Sequence, residues 1–171
     1  MDARPVARPT ARVLVIGPGD SLLLLGYRAA AGQAGAVHWI APGGGIQPGE
    51  AAADAAAREL REEVGIAVRA AALGPVVAYS TGQWSADGKI FDAHDSYFHV
   101  YVSDTRVDSS GQEDLERSLI VGHRWWTPDE LAGHQERITP VGLAGLMCSL
   151  LADGPPASPV RLPWHEETGP S

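Results

Sequence analysis

A single cysteine, Cys148, stands in the 171 residues, so no internal disulfide can brace the chain and its stability has to come from a buried core. No apolar run approaches the roughly 20 residues that a helix needs to cross a bilayer. The first residues also lack the basic start and apolar centre of a secretory signal, which makes a cytoplasmic location the expectation. Basic residues are in deficit, 13 Lys and Arg against 21 Asp and Glu, for a formal charge of -8. A surface of that sign is a poor partner for a nucleic-acid polymer or an anionic membrane. A phosphate-bearing ligand would have to be met by metal ions and a few local Arg or Lys residues. Internal repeats are absent as well, and at this length, with 44% hydrophobic residues, one domain with one good core is the simplest organisation.

What the sequence does have is concentrated between Gly44 and Ile66, which reads G-G-I-Q-P-G-E-A-A-A-D-A-A-A-R-E-L-R-E-E-V-G-I. At about 100° per residue, Glu59, Glu62 and Glu63 fall at i, i+3 and i+4 and share one side of one helical turn. Ala53, Ala56, Ala57, Leu60 and Val64 form an adjoining apolar stripe suited to packing on a sheet. Three ionised carboxylates that close repel by up to roughly 4 kcal/mol per pair at an effective dielectric near 20. A hard divalent cation such as Mg²⁺ would relieve that repulsion, since it prefers carboxylate and carbonyl oxygens. Arg58, on the same helix, carries a planar fork suited to hold one of the carboxylates in place. Gly43, Gly44, Gly45 and Gly49 predict a tight backbone before the helix, Glu50 is expected in its first turn, and Gly65 is placed to end it in a left-handed cap.

Around this window the pattern predicts an α/β chain. Residues 1–10 read as a loose arm, residues 11–154 as the folded domain, and residues 155–171 as a Pro-rich extended tail. Aliphatic runs at 12–16 and 22–27 flank Gly17-Pro18-Gly19-Asp20, a hairpin signal. Further strands are expected at 37–41, 97–102 and 119–126, with a surface loop at 82–89. Short helical character starts at Pro128, and a terminal helix is predicted over 139–151, with Pro140 in its first turn and Leu143, Leu146, Met147 and Leu150 at helical spacing.

Gly44, Glu50, Arg58, Glu59, Leu60, Glu62, Glu63, Gly65 and Ile66 match G-x5-E-x7-R-E-U-x-E-E-x-G-U throughout, where U is a bulky aliphatic. The chain thereby resembles the Nudix hydrolases. Trp39 and Pro42-Gly43 before the window, and Trp125-Trp126 followed by Asp129-Glu130-Leu131, are similar to that family too. The resemblance implies a mixed sheet between helices in an α/β/α sandwich over roughly residues 11 to 152. It also implies Mg²⁺-dependent hydrolysis, with Mn²⁺ as a substitute, of a nucleoside triphosphate or nucleoside diphosphate derivative by water attack on phosphorus. Carried over by position, Glu59, Glu62, Glu63 and the backbone carbonyl of Gly44 would be the metal ligands. Glu59 or Glu62 would take the proton, Arg58 would assist them, and a small-molecule nucleotide would be the partner, on a monomer or a homodimer.

Relatives often add an acid from the second half, for which Glu113, Asp114 and Glu116 are available, with His123 nearer Trp125. Arg28, expected at the end of the second hairpin strand, is a candidate phosphate contact. Alternation places Asp95, Tyr97, His99 and Tyr101 on one strand face, so Tyr97 and His99 are candidates for a base pocket. Substrate markers used within the family do not single out a subclass. Two other readings stand beside the hydrolase: a nucleotide-binding module without turnover, and an isopentenyl diphosphate isomerase using Cys148. The full set of window carboxylates speaks against the first, and the hydrophobic neighbours of Cys148, which suggest that it packs in the terminal helix, speak against the second.

Overall fold

The unbroken apolar runs after Arg12 and Ser21 form strands that are buried on both faces. In a computed structural model of the chain, which describes residues 4–28, 36–86 and 88–165, β1 (Val6–Gly17) and β2 (Ser21–Arg28) form the expected hairpin, with Ile16 opposite Leu22. Leu14, Ile16, Leu22 and Leu24 point into one core, and Val13, Val15, Leu23 and Leu25 into another on the opposite face. That is why period-2 alternation of apolar and polar residues is missing here. Helix α1 (Ala52–Val64) covers the second core through Ala55, Ala56, Leu60 and Val64. Helices α3 (Pro128–Gly133) and α4 (Leu143–Asp153) cover the first through Leu131, Leu143, Leu146, Met147 and Leu150. The result is a mixed sheet between helices, as the α/β/α expectation has it.

The remaining strands are β3 (Val37–Ile40), β4 (Gly43–Gly45), β5 (Ala78–Ala86), β6 (Lys89–Tyr101), β7 (Ile120–Trp126), β8 (Arg137–Thr139) and β9 (Val160–Pro163), and α2 (Asp114–Leu119) precedes β7. The sheet runs β8-β3-β2-β1-β6-β5-β9, with β4 on β1 and β7 on β2. Strands β1 and β6 are parallel over a long register, from Val6 opposite Phe91 to Ile16 opposite Tyr101. Among the described residues, no helix is long and apolar enough to cross a membrane.

Several expectations are corrected. The loose arm is already strand from Val6, because β6 offers a full-length partner to its backbone; residues 1–3 lie outside the described part. Of the segment expected as a surface loop at 82–89, residues 82–86 belong instead to β5 and residue 89 to β6, which pair with each other. Residues 160–163 of the tail add β9 to the edge of β5, and residues 166–171 lie outside the described part. Helix α4 starts at Leu143 after Gly142, so Pro140 is not in its first turn. Cys148 is exposed rather than packed, since the helical spacing that buries Met147 and Leu150 turns it outward.

Candidate metal centre

Helix α1 begins at Ala52, so Glu50 is not in its first turn as expected and is free for another task. Ala51 is the N-cap and Glu50 sits in the turn before it, where one of its carboxylate oxygens accepts from the Gln47 backbone N–H at 2.9 Å. The other end of the helix is as expected: Gly65 adopts φ 73° and its N–H donates to the Arg61 carbonyl. Arg58 ties these parts together. Its Nε and one terminal nitrogen donate to the two oxygens of Glu50, both at 2.9 Å. That terminal nitrogen also donates to the Gly45 carbonyl at 3.0 Å, and the other donates to Glu59 at 2.7 Å and to Glu62 at 3.3 Å. The bidentate contact with Arg58 holds the Glu50 carboxyl down at about 2.

Glu59 and Glu63 are the buried pair. Around a helix axis they lie about 40° apart, whereas Glu62 and Glu63 lie about 100° apart, so the inward turn that hides the first two leaves Glu62 at the side. Glu63 is 2% exposed; one oxygen accepts from the Gly43 N–H at 2.7 Å and the other from the Tyr27 hydroxyl at 3.0 Å. Burial pushes the Glu63 carboxyl up to about 8, with the Glu59 charge adding to the rise against the opposing pull of the Gly43 N–H and Arg12. Burial raises Glu59 as well, Arg58 opposing. Gly44 passes so close that a Cβ there would stand 2.7 Å from the Glu59 carboxylate.

A third carboxylate arrives from the other half of the chain. After α1 the backbone folds over its end: the Asp108 N–H donates to the Val64 carbonyl, and the buried Gln112 side chain donates to the Glu63 carbonyl at 3.0 Å. This docks the start of α2, where Glu113 is N-cap and Glu116 closes a capping box. One carboxylate oxygen from each of Glu59, Glu63 and Glu116 then lies within 4.8 Å of the others. Three hard oxygen donors so close, two of them buried with raised pKa, are a donor set suited to Mg²⁺ or a similar divalent ion.

Beneath the glycine strand lies a polar network that sequence reasoning missed. Arg12 donates to Asp95 at 3.1 Å and to the carbonyls of Ala41 and Gly43 at 3.1 and 3.2 Å. Asp95, 1% exposed, also accepts from the Thr10 hydroxyl and from the Tyr97 hydroxyl. The backbone that carries the Gly43 N–H and the Gly44 carbonyl is thus fixed from below by Arg12. A charged residue, Arg12, directly before the apolar run at 13–16 was the available signal.

The other candidates disperse. Tyr97 is wholly buried in the core against α4, which leaves it no surface for a base pocket, and His99 packs beneath Gly74, its pKa lowered by burial. Glu113 is exposed and serves the helix end; Asp114 and His123 are exposed. Arg28 ends β2 in the open. Cys148 lies across the sheet from α1.

The buried Glu63 has a pH signature. A carboxyl raised from 4.5 to about 8 contributes stability that is complete below about pH 4.5 and is lost as pH rises through about 8. His38, lowered by burial to about 4, acts in the opposite sense, losing stability as pH falls from 6.5 toward 4. Comparing the parent with Glu63→Gln in chelator isolates the first effect. Urea midpoints should show the parent losing ground to the variant between pH 5 and pH 8, and parallel curves would exclude a buried, protonated Glu63.

Comparison with known proteins places these features. The NUDIX domain model matches residues 6–142. Among solved structures, a MutT protein from Methanosarcina mazei Go1 is 18% identical with a TM-score of 0.55, over 84% of this chain and 92% of that one. The E. coli ORF135 protein is 23% identical with a TM-score of 0.55, over 90% and 96%. A C. elegans Ap4A hydrolase is 18% identical with a TM-score of 0.51, over 85% and 96%. These likenesses establish a shared fold. No match is found among curated proteins.

Proposed function

The chain belongs to the Nudix family, and from that premise we propose that it hydrolyses a phosphoric anhydride bond of a nucleoside triphosphate or nucleoside diphosphate derivative with Mg²⁺ or Mn²⁺. The observation that carries this reading is the convergence of Glu59, Glu63 and Glu116 beside Gly44. These three, with Glu62 and the Gly44 carbonyl, would hold the ion. When bound, it supplies charge neutralisation at the phosphoryl oxygens and makes a nearby water more acidic.

The chain's own residues do the rest. Arg58 fixes the direction of the Glu59 carboxylate and, through Gly45, the height of the glycine strand. Glu59 or Glu62 accepts the proton of the attacking water. Gly44 and Gly45 leave bare backbone for the close approach of phosphate. Arg28, exposed at the end of β2, offers its fork to a non-bridging oxygen. A chain of charge -8 attracts a polyanion only where its own charge is overturned, and the carboxylate cluster is that place.

Turnover of nucleoside triphosphates, nucleotide sugars and dinucleoside polyphosphates should cease in chelator and return with excess Mg²⁺ or Mn²⁺. In ¹⁸O water the label should enter a phosphate-containing product. Hydrolysis that survives thorough chelation, or label found only in a product without phosphate, would overturn the reading.

A further inference from the structure

We propose that Tyr27, through the hydrogen bond from its hydroxyl to Glu63, is a positioning residue that sets the preference of the carboxylate cluster for Mg²⁺ over Ca²⁺. This assignment rests on the metal-dependent reading above. The last torsion of a Glu side chain is soft, so the plane of its carboxylate is set by the donors it meets. Glu63 meets two, one for each oxygen: the Gly43 N–H from β4 at 2.7 Å and the Tyr27 hydroxyl from β2 at 3.0 Å. Two donors on separate strands fix a plane that one donor would leave free to turn. The first is backbone, itself held through the Gly43 carbonyl by Arg12. The second is a side chain that substitution can remove. Glu59 and Glu116 are held by donors of their own segments instead, Arg58 at 2.7 Å and the Glu113 N–H at 2.9 Å.

The sheet is shaped to deliver that hydroxyl. Across β2 and β7, Gly26 pairs with Gly122 and Tyr27 with Ile120, so Val121 has no opposite number and the register shifts at Tyr27. A bulge of this kind re-aims the side chains beside it. Ile120 is also the residue on which α2 ends, which ties the strand position of Tyr27 to the helix that carries Glu116. The Tyr27 ring packs against the core under α1, and its hydroxyl goes to Glu63. Mg²⁺ demands near-ideal octahedral directions from its ligands, whereas Ca²⁺ accepts more oxygens in a more variable arrangement. A Glu63 carboxylate fixed in its plane suits the smaller ion, and one free to turn costs Mg²⁺ more than Ca²⁺.

The test is displacement of Mn²⁺ from the metal-free parent, Tyr27→Phe, Tyr27→Leu and Glu63→Gln by Mg²⁺ or by Ca²⁺, with free Mn²⁺ read by electron paramagnetic resonance. The ratio of the two displacing concentrations reports the preference without reference to turnover. Tyr27→Phe keeps the ring and removes the hydroxyl; Tyr27→Leu removes it in a second way. In both, the Mg²⁺ concentration needed, relative to that of Ca²⁺, should rise about tenfold, the scale for losing a hydrogen bond to a metal-ligating group. A purely structural role for Tyr27 would weaken both ions alike. A ratio that is unchanged or moves the other way overturns the assignment and leaves the metal centre standing. Mn²⁺ binding undiminished in Glu63→Gln overturns the place of Glu63 in the metal centre and the assignment with it. A shifted ratio in a protein that turns over no nucleotide would overturn the hydrolase reading and leave the assignment standing.

Discussion

Glu63→Gln is expected to lower kcat by about 10²-fold to 10³-fold, the loss of about 3–4 kcal/mol of transition-state stabilisation, while the melting temperature of the metal-free protein at pH 8 stays level or rises. The two halves of this result have one origin. Burial of Glu63 penalises its charge more than its hydrogen-bond partners and Arg12 favour it, which raises its carboxyl to about 8. Gln keeps the shape and one acceptor for the Gly43 N–H, and its amide can donate to the Tyr27 oxygen where the hydroxyl now donates to Glu63. It cannot supply a second anionic oxygen beside Glu59 and Glu116. Steady-state kinetics with Mg²⁺, together with a thermal melt in chelator, give both readings from one preparation. Turnover equal to the parent would remove Glu63 from the metal centre, and a sharp fall in melting temperature would assign it to structure.

Arg12→Ala should cost about 3–5 kcal/mol of folding stability, the range for breaking one partner out of a buried ion pair. For a chain of this size that corresponds to a fall in melting temperature of roughly 6–20 °C. Asp95 would be left 1% exposed with a charge and without its guanidinium, and the carbonyls of Ala41 and Gly43 would lose their donor. Arg12→Met combined with Asp95→Asn should regain much of the loss, since the unpaired charge is then gone. The double variant should still bind Mg²⁺ more weakly than the parent, because nothing holds the Gly43 carbonyl from below. A melting temperature for Arg12→Ala within a degree or two of the parent would show that the pair carries no stability.

The residues of the window were legible in the sequence because every relation among them is local. The spacing of Glu59, Glu62 and Glu63, the apolar positions at Ala56, Leu60 and Val64, and the glycine that ends α1 all follow from a helical period. The same local logic gave the hairpin around Gly17-Pro18-Gly19-Asp20 and the burial of Leu143, Leu146, Met147 and Leu150. It was wrong about Glu50, which precedes the helix rather than standing in its first turn, and about Cys148 because a helix with buried positions on one side must expose the other.

Tyr97 marks where local reasoning stops. Alternation put it on one face with Asp95, but could not tell a substrate pocket from a core covered by α4, which comes from a segment far along the chain. The pairing of β1 with β6 likewise turned an expected arm into strand and brought Arg8 to Trp84 and Phe91. From the sequence by itself, helical periodicity determined which carboxylates could stand together on α1. Only the tertiary structure decided that Glu116 joins Glu59 and Glu63, that Glu62 stands to the side, and that Arg12 and Asp95 hold the glycine strand, because each depends on contacts between segments whose separation along the chain carries no periodic signal.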